Sequence, residues 1–81
     1  MEVRFTQRAD KDYEGLSPRI RLALGKQLGY LLNNLQHPSL HAKKYDQAHD
    51  LWQGRVNRSW RFYFAIRGDE YVVLAIVPHP K

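Results

Sequence analysis

Three strand-like runs separated by two short turns make up the C-terminal part of the chain, and they restrict the possible folds more than any other feature. The runs are residues 51–56, 60–67 and 71–77. The turns between them read Asn-Arg-Ser and Gly-Asp-Glu. Short β-prone runs bounded by turn residues predict two consecutive β-hairpins. We therefore expect three antiparallel strands at this end of the chain.

The middle of the N-terminal part carries a strong helical signal. Ser17 and Pro18 form a hydroxyl cap followed by proline at the first helical position. Apolar residues at 3.6-residue spacing predict a helix over residues 18–35. Gly25 and Gly29 on this helix are expected to permit close approach of another helix or a partner, with packing inside the domain the favoured reading. The apolar stripe consists of Ile20, Leu24, Leu28, Leu31, Leu32 and Leu35.

Shorter segments flank this helix. Residues 2–6 alternate between polar and apolar, which predicts a strand. Thr6 is expected to cap a short helix that ends near Gly15. The polar segment 39–50 is expected to be a long loop, and long loops are often functional.

The predicted order is strand, helix, helix, strand, strand, strand. This order predicts an α+β fold with two N-terminal helices packed on one face of a mostly antiparallel, four-stranded sheet. The 81 residues contain no cysteine, so the chain can form no disulfide and has no cysteine nucleophile. We expect one domain over residues 1–81 that is stabilised by its hydrophobic core alone, without a secretory leader or a membrane span.

The charge distribution predicts an anionic partner. The net charge is +5. Residues 15–45 contain no acidic side chain, and neither do residues 51–68. Basic surface of this kind attracts nucleic acid, although an acidic protein partner would satisfy the same charge.

Alternation along the strands sorts the residues onto two faces of the sheet. A three-residue first turn places Arg55 opposite Arg61 and puts Gln53, Arg55, Arg61 and Tyr63 on the face that the helices leave open. A three-residue second turn adds His79 to this open face. The same register assigns Trp52, Gly54, Val56, Trp60, Phe62, Phe64, Ile66, Val72, Leu74 and Ile76 to the core face, and Tyr71, Val73, Ala75 and Val77 to the open face.

The residues predicted on the open face suit phosphate chemistry. Guanidinium groups bind phosphate oxygens and stabilise developing negative charge. Histidine exchanges protons near neutral pH, and RNA supplies its own nucleophile, the 2′-hydroxyl. No cofactor motif is present, and the irregular spacing of the other histidines, His37, His41 and His49, does not indicate a metal site. The alternative is that these arginines are ordinary solvent-exposed residues without a binding or catalytic role.

Residues 51–66, Leu-Trp-Gln-Gly-Arg-Val-Asn-Arg-Ser-Trp-Arg-Phe-Tyr-Phe-Ala-Ile, resemble the strand-turn-strand core of the RelE/ParE toxin superfamily. His37-Pro38-Ser39-Leu40 is similar to the segment that follows the helix in that family, and residues 72–79 are similar to its closing strand with a terminal histidine. The resemblance implies a single RelE/ParE-like domain acting as the cytoplasmic toxin of a type II toxin–antitoxin pair. RelE- and YoeB-like members cut mRNA in the ribosomal A site, whereas ParE-like members inhibit DNA gyrase.

The resemblance also implies roles for single residues. Arg61 matches the arginine that contacts the scissile phosphate, Arg55 a basic position on the preceding strand, and His79 the terminal histidine of YoeB-type members. Ala42 stands where that branch has a catalytic glutamate, and Pro80 follows His79 where that branch has an aromatic residue. Activation of the 2′-hydroxyl would then rest on Lys43, Lys44 or His41, with His49 a further possibility. Further RNA contacts are assigned to Arg58, Tyr63, Arg67 and Lys81.

The favoured interpretation is a ribosome-dependent mRNA endonuclease that needs no metal and no cofactor. The alternatives are a gyrase inhibitor without catalysis and a degenerate member that only binds its antitoxin. The expected partners are mRNA on the ribosome and a cognate antitoxin with an acidic binding segment, in a possible hetero-oligomer and without membrane association.

Overall fold

The structure, a computed structural model, describes residues 1–79, and Lys81 lies outside them. No helix among the described residues is long and apolar enough to cross a membrane. The elements in chain order are β1 (Glu2–Phe5), α1 (Gln7–Glu14), α2 (Pro18–Asn33), a 3₁₀ helix (Pro38–Leu40), β2 (Lys43–Asp46), β3 (Leu51–Arg55), β4 (Trp60–Arg67) and β5 (Glu70–Pro78).

The two helices begin at the predicted caps. The Thr6 hydroxyl accepts a hydrogen bond from the backbone N–H of Ala9 at 3.2 Å, and the Ser17 hydroxyl accepts one from Ile20 at 3.4 Å. Both bonds satisfy a backbone donor that the first turn of a helix leaves unpaired. The second helix ends at Asn33, two residues earlier than predicted, and its backbone is already extended at Asn34.

The glycines of α2 do not have the predicted packing role. Gly25 and Gly29 are exposed, and a Cβ atom added at either position would meet nothing within 4 Å. They lie on the outer side of the helix, where Leu22 is also exposed. The packing of α2 against the domain depends instead on Leu24 and Leu31, which are fully buried.

The sheet has five strands in the order β1-β5-β4-β3-β2, with β1 parallel to β5 and all other pairs antiparallel. The predicted α+β class and mostly antiparallel sheet are confirmed. The additional strand, β2, lies within the predicted long loop, where Lys43 pairs with Gln53 and Lys44 with Trp52. The sequence did not predict β2 because its side chains are mostly charged. An edge strand needs little apolar character when one side faces water.

The β3–β4 hairpin has the predicted register, with Arg55 opposite Arg61 and Gly54 opposite Phe62. The core lies between the helices and the face that carries Phe62. Trp60 is only partly buried and packs at the edge of this core. The largest fully buried side chains are Phe62, Phe64, Leu24, Leu31, Leu40 and Val73.

The second hairpin differs from its predicted register in the half next to the turn. Its turn contains two residues rather than three, so that Arg67 lies opposite Glu70. As a result Tyr71 and Val73 face the core, and the predicted placement of Val72 and Leu74 on that face is wrong, although Val72 is buried. Gly68 has a φ of 60°, a left-handed conformation that suits a tight hairpin turn.

A β-bulge corrects the register further along β5. Phe64 lies opposite Val73 but Tyr63 lies opposite Ala75, so Leu74 is the extra residue. Thr6 holds the bulge, because its backbone N–H donates to the Val73 carbonyl at 3.0 Å and its hydroxyl to the Leu74 carbonyl at 3.2 Å. Beyond the bulge, Ile76 faces the core and Ala75 and Val77 the open face, as predicted.

Candidate active site

A cleft of about 420 Å³ opens on the face of the sheet opposite the helices, near the β3–β4 turn. Five of its seven lining residues are Lys, Arg or His, and they come from β2, β3, β4, the segment before β2 and the residue that follows β5. No acidic residue lines it. Its lining residues are His41, Lys43, Gln53, Gly54, Arg55, Arg61 and His79.

Arg55 and Arg61 lie directly opposite each other on neighbouring strands. Like charges in this arrangement repel and destabilise a sheet unless an anion compensates them. Burial, and to a lesser degree the charge of Arg55, lowers the pKa of Arg61 from its ordinary value, although the guanidinium stays charged. The pair therefore forms a permanently positive site that is suited to a phosphate.

The turn between β3 and β4 fixes the guanidinium of Arg61. Its Nη1 atom donates to the carbonyl oxygens of Asn57 at 2.7 Å and Trp60 at 2.9 Å, with a longer contact to Arg58 at 3.4 Å. Arg55 Nε donates to the same Asn57 carbonyl at 3.4 Å. Among residues 1–79 these Arg61 contacts all involve Nη1, which leaves Nε and Nη2 available to an anion in the cleft.

His41 reaches the cleft through an unusual backbone conformation. It follows the 3₁₀ helix and has a φ of 46°, in the left-handed region that few residues other than glycine adopt. Its Nε2 atom lies 3.4 Å from Nη1 of Arg55. Because arginine only donates hydrogen bonds, this contact requires an unprotonated Nε2 on His41.

His79 stands beside Arg61 because of the bulge in β5. The ladder extends one residue past the strand, where the His79 backbone N–H donates to the Ser59 carbonyl at 2.7 Å. If β5 continued from its two-residue turn without a bulge at Leu74, His79 would lie on the core face. Arg55, Arg61 and His79 therefore line the same cleft, but His79 does so because of a two-residue turn and a bulge rather than the predicted three-residue turn.

The two adjacent lysines of β2 point to opposite faces of the sheet. Lys43 lines the cleft. Lys44 does not, because its ammonium lies 5.0 Å from the centre of the Trp52 ring and 2.6 Å from Oδ1 of Asp50. The structure thus brings Lys43 and His41 to the arginine pair and separates Lys44 from it.

His49 is likewise distant from the cleft lining. It lies in the β2–β3 turn, where Nδ1 is 2.9 Å from Oδ2 of Asp46. This hydrogen bond is the main reason why the pKa of Asp46 is lowered. The pair shapes the turn, and His49 is not available to the cleft in this arrangement.

The residues assigned to RNA contact are dispersed. Tyr63 is half-buried on the open face, where its hydroxyl accepts a hydrogen bond from Gln53 at 3.1 Å. Arg58 is exposed in the turn and lines a second cleft next to the first. Arg67 ends β4 six residues beyond Arg61, or roughly 20 Å along the strand. Lys81 lies outside the described residues.

Two further residues lie in or near the site: Gln53, which alternation placed on the open face without assigning it to the site, and Tyr45, which the sequence interpretation missed. Gln53 lines the cleft, and the ring of Tyr45 lies 4.9 Å from that of Tyr63 while remaining 60% exposed. An exposed aromatic ring can stack on a base. Alternation of Lys43 and Tyr45 would have indicated Tyr45, had the segment been read as a strand.

A buried glutamine connects the elements that carry the site. Gln27 is only 5% exposed and is the one buried polar side chain among residues 1–79. Its Nε2 donates to the carbonyls of Arg55 at 2.7 Å and Ser39 at 2.9 Å, and its Oε1 accepts from the Ser39 hydroxyl at 2.9 Å. It therefore ties α2 to β3 and to the segment that leads to His41.

Replacing this glutamine should destabilise the domain. In Gln27→Leu, the carbonyls of Arg55 and Ser39 and the Ser39 hydroxyl lose their partner in a partly buried site, and a fully buried unsatisfied group costs about 1–3 kcal/mol. We expect urea unfolding to show a loss of about 2–4 kcal/mol in total, since water replaces part of the bonding. The exposed Gln36→Leu serves as the matched control and should change little. Equal stability of the two variants would contradict a bracing role for Gln27.

No protein-family model matches this sequence. No curated protein matches it either. Solved structures do share its fold. One is a YoeB/ParE toxin from Agrobacterium tumefaciens, with a TM-score of 0.83 and 15% identity over 99% of this chain and 100% of that chain.

Two further structures agree with this likeness. The YoeB dimer from Staphylococcus aureus has a TM-score of 0.82 and 13% identity, covering 99% of this chain and 98% of that chain. The RelBE toxin–antitoxin complex of E. coli has a TM-score of 0.76 and 18% identity, covering 98% of this chain and 96% of that chain. The predicted RelE/ParE-like fold is therefore confirmed.

Proposed function

We propose that this chain is the toxin of a type II toxin–antitoxin pair and that it cleaves mRNA on the ribosome. The observation that carries the proposal is the acid-free cleft in which Arg55 and Arg61 lie opposite each other beside His41, Lys43 and His79. RNA cleavage through the 2′-hydroxyl involves proton transfer and a build-up of negative charge; imidazoles can perform the first and guanidinium groups can stabilise the second. The likeness to RelE and YoeB toxins supports the same reading.

The proposed reaction is an internal transesterification. His41, unprotonated at Nε2, takes the proton of the 2′-hydroxyl while the 2′-oxygen forms a bond to phosphorus. The P–O5′ bond breaks, its electron pair stays on O5′, and protonated His79 gives a proton to that oxygen. The products are a 2′,3′-cyclic phosphate and a 5′-hydroxyl. Every proton transfer in this scheme is made by a histidine, so the scheme includes no metal ion.

The basic residues stabilise the charge of the transition state. Arg61 offers Nε and Nη2 to the phosphate oxygens from a guanidinium that the turn already holds in place. Preorganised donors of this kind need little rearrangement during the reaction. Arg55 contributes the second charge, and Lys43, which lines the same cleft, adds a third.

Toxins of this kind have a protein partner. The RelBE structure is a toxin–antitoxin complex, and the basic surface of this chain suits a partner with an acidic segment. We propose a cognate antitoxin that covers part of this surface. Co-purification with a basic partner, in a complex insensitive to salt, would contradict this part of the proposal.

A bacterial translation extract tests the main proposal. Purified protein is added to a defined transcript, and new 5′ ends are mapped with translation running and with initiation blocked. We expect cuts only in the translated transcript, each bearing a 5′-hydroxyl. Intact transcripts together with loss of supercoiling by gyrase would establish the ParE-like alternative. Intact transcripts without any effect on gyrase would leave antitoxin binding as the remaining function.

A further inference from the structure

A second cleft lies next to the proposed active site and shares one wall with it. It encloses about 340 Å³, and His41 and Arg55 line both clefts. Its other charged residues are Lys26 from α2 and Arg58 from the β3–β4 turn. The remaining lining residues are Ala23, Gln27, Ser39, Val56 and Asn57.

The second cleft is also positive and free of acidic side chains. Lys26 and Arg58 are both exposed. None of the ion pairs formed within residues 1–79 involves either of them. Their charges are therefore available to an external anion. The cleft also presents the side-chain amide of Asn57, which can donate a hydrogen bond to a sugar or a phosphate. The Ser39 hydroxyl already donates to Gln27, so it can only accept a hydrogen bond from a sugar.

The shared wall makes the two clefts one continuous positive path. Arg55 stands between them, with its guanidinium in contact with His41 at 3.4 Å. A nucleic acid strand carries one phosphate per nucleotide, so a strand whose scissile phosphate lies at Arg61 must place a neighbouring phosphate close by. The second cleft is the adjacent basic surface on which that phosphate can lie.

We infer that the second cleft is a subsite for the phosphate next to the scissile one, held by Lys26 and Arg58. This inference rests on the proposed RNA function and deepens it, because it gives the enzyme contacts to a substrate of at least three nucleotides. Phosphate contacts fix the position of a strand without reading its bases. The subsite therefore sets the register of the RNA across the catalytic residues.

Binding of uncleavable short RNAs tests the inference. The probes are a 2′-O-methyl dinucleotide, with one internucleotide phosphate, and the corresponding trinucleotide, with two. Both are titrated against the full chain by NMR at low salt. We expect Lys26→Ala and Arg58→Ala each to weaken trinucleotide binding by about 5- to 10-fold, the size of one charge-assisted contact, and to leave dinucleotide binding unchanged. Arg61→Ala should weaken both.

The matched control is Arg19→Ala, which removes a positive charge from the same helix at a residue outside both clefts. It should leave both affinities unchanged. An equal loss in Arg19→Ala and Lys26→Ala would mean diffuse attraction and would overturn the inference. Unchanged trinucleotide binding in Lys26→Ala and Arg58→Ala, with Arg61→Ala still impaired, would overturn the subsite but not the proposed function.

Two further outcomes have distinct meanings. If Arg61→Ala binds both probes as well as the unaltered chain, the RNA function itself fails. If Lys26→Ala and Arg58→Ala bind RNA normally but lose affinity for an acidic peptide, the second cleft belongs to a protein partner. That result would overturn the inference as well.

Discussion

Arg61→Ala should reduce cleavage of ribosome-bound mRNA by roughly 100- to 1000-fold, which is the usual effect of removing one donor to a transition-state oxyanion. The guanidinium lines the cleft opposite Arg55, and its Nε and Nη2 atoms remain available to a phosphate. Single-turnover cleavage in the extract measures the loss. Growth arrest on induction should disappear in parallel.

The variant should remain folded but become less stable. Arg61 is half-buried, and its hydrogen bonds to the Asn57 and Trp60 carbonyls brace the turn, at about 1 kcal/mol for such a contact. A thermal melt run beside each assay separates the two effects. Arg61→Lys keeps the charge but not the planar fork, so we expect only partial recovery of the rate.

One control variant and two contrary outcomes make the result decisive. Lys11→Ala removes an exposed charge from α1, away from the cleft, and should cleave normally. A folded Arg61→Ala protein that still arrests growth by cutting mRNA would remove the centre of the proposed mechanism. Small and equal losses in Arg55→Ala, Arg58→Ala and Arg61→Ala would instead indicate a general basic surface and favour the binding-only alternatives.

The first hairpin was predictable because its information is local. Alternating aromatic residues in β4 identify the core face, and a three-residue turn then sets Arg55 opposite Arg61. Most of the arginine site follows from that register alone. The helix caps at Thr6 and Ser17 were equally readable, because a hydroxyl before a helical stripe acts within three residues.

The second hairpin was not predictable in the same way, because a distant residue determines its geometry. The bulge at Leu74 depends on Thr6, 68 residues away in sequence. Hydrophobic alternation favoured a three-residue turn in the second hairpin. That turn predicts the correct face for His79, but the turn itself is not the one that forms. Two compensating features, a short turn and a bulge, cannot be distinguished from one long turn by alternation alone.

The arrangement of the part of the site that comes from the segment before β3 could not be predicted from the sequence. Its Lys-Lys-Tyr-Asp sequence is polar enough to resemble a loop, and only pairing with β3 makes it a strand. That pairing sends Lys43 and Lys44 to opposite faces, which decides between two lysines that composition cannot distinguish. The left-handed backbone at His41 is another tertiary result, since nothing in the adjacent sequence demands it.

Phe62→Ala should produce the largest loss of stability, about 3–5 kcal/mol in urea unfolding at 25 °C. Phe62 is 0% exposed and its ring centre lies 5.4 Å from that of Phe64. Because a single hydrophobic core in a domain of about this size rarely supplies more than about 3–5 kcal/mol, much of the variant would be unfolded at physiological temperature. Toxicity would then be lost through folding rather than through chemistry. Phe5→Ala, at a half-buried position, should cost less.

Gly54 offers an independent check on the same packing. A Cβ atom at Gly54 would lie 2.5 Å from Cζ of Phe62, so the Phe62 ring occupies the space above the glycine. Gly54→Ala should therefore destabilise the unaltered protein by about 1–3 kcal/mol through overpacking. In the Phe62→Ala background the ring is absent and the added methyl group fills part of the cavity, so the same change should cost far less or even stabilise. Additive losses in the double variant would mean that the two residues do not share this space and that the face of β4 assigned to the core is wrong.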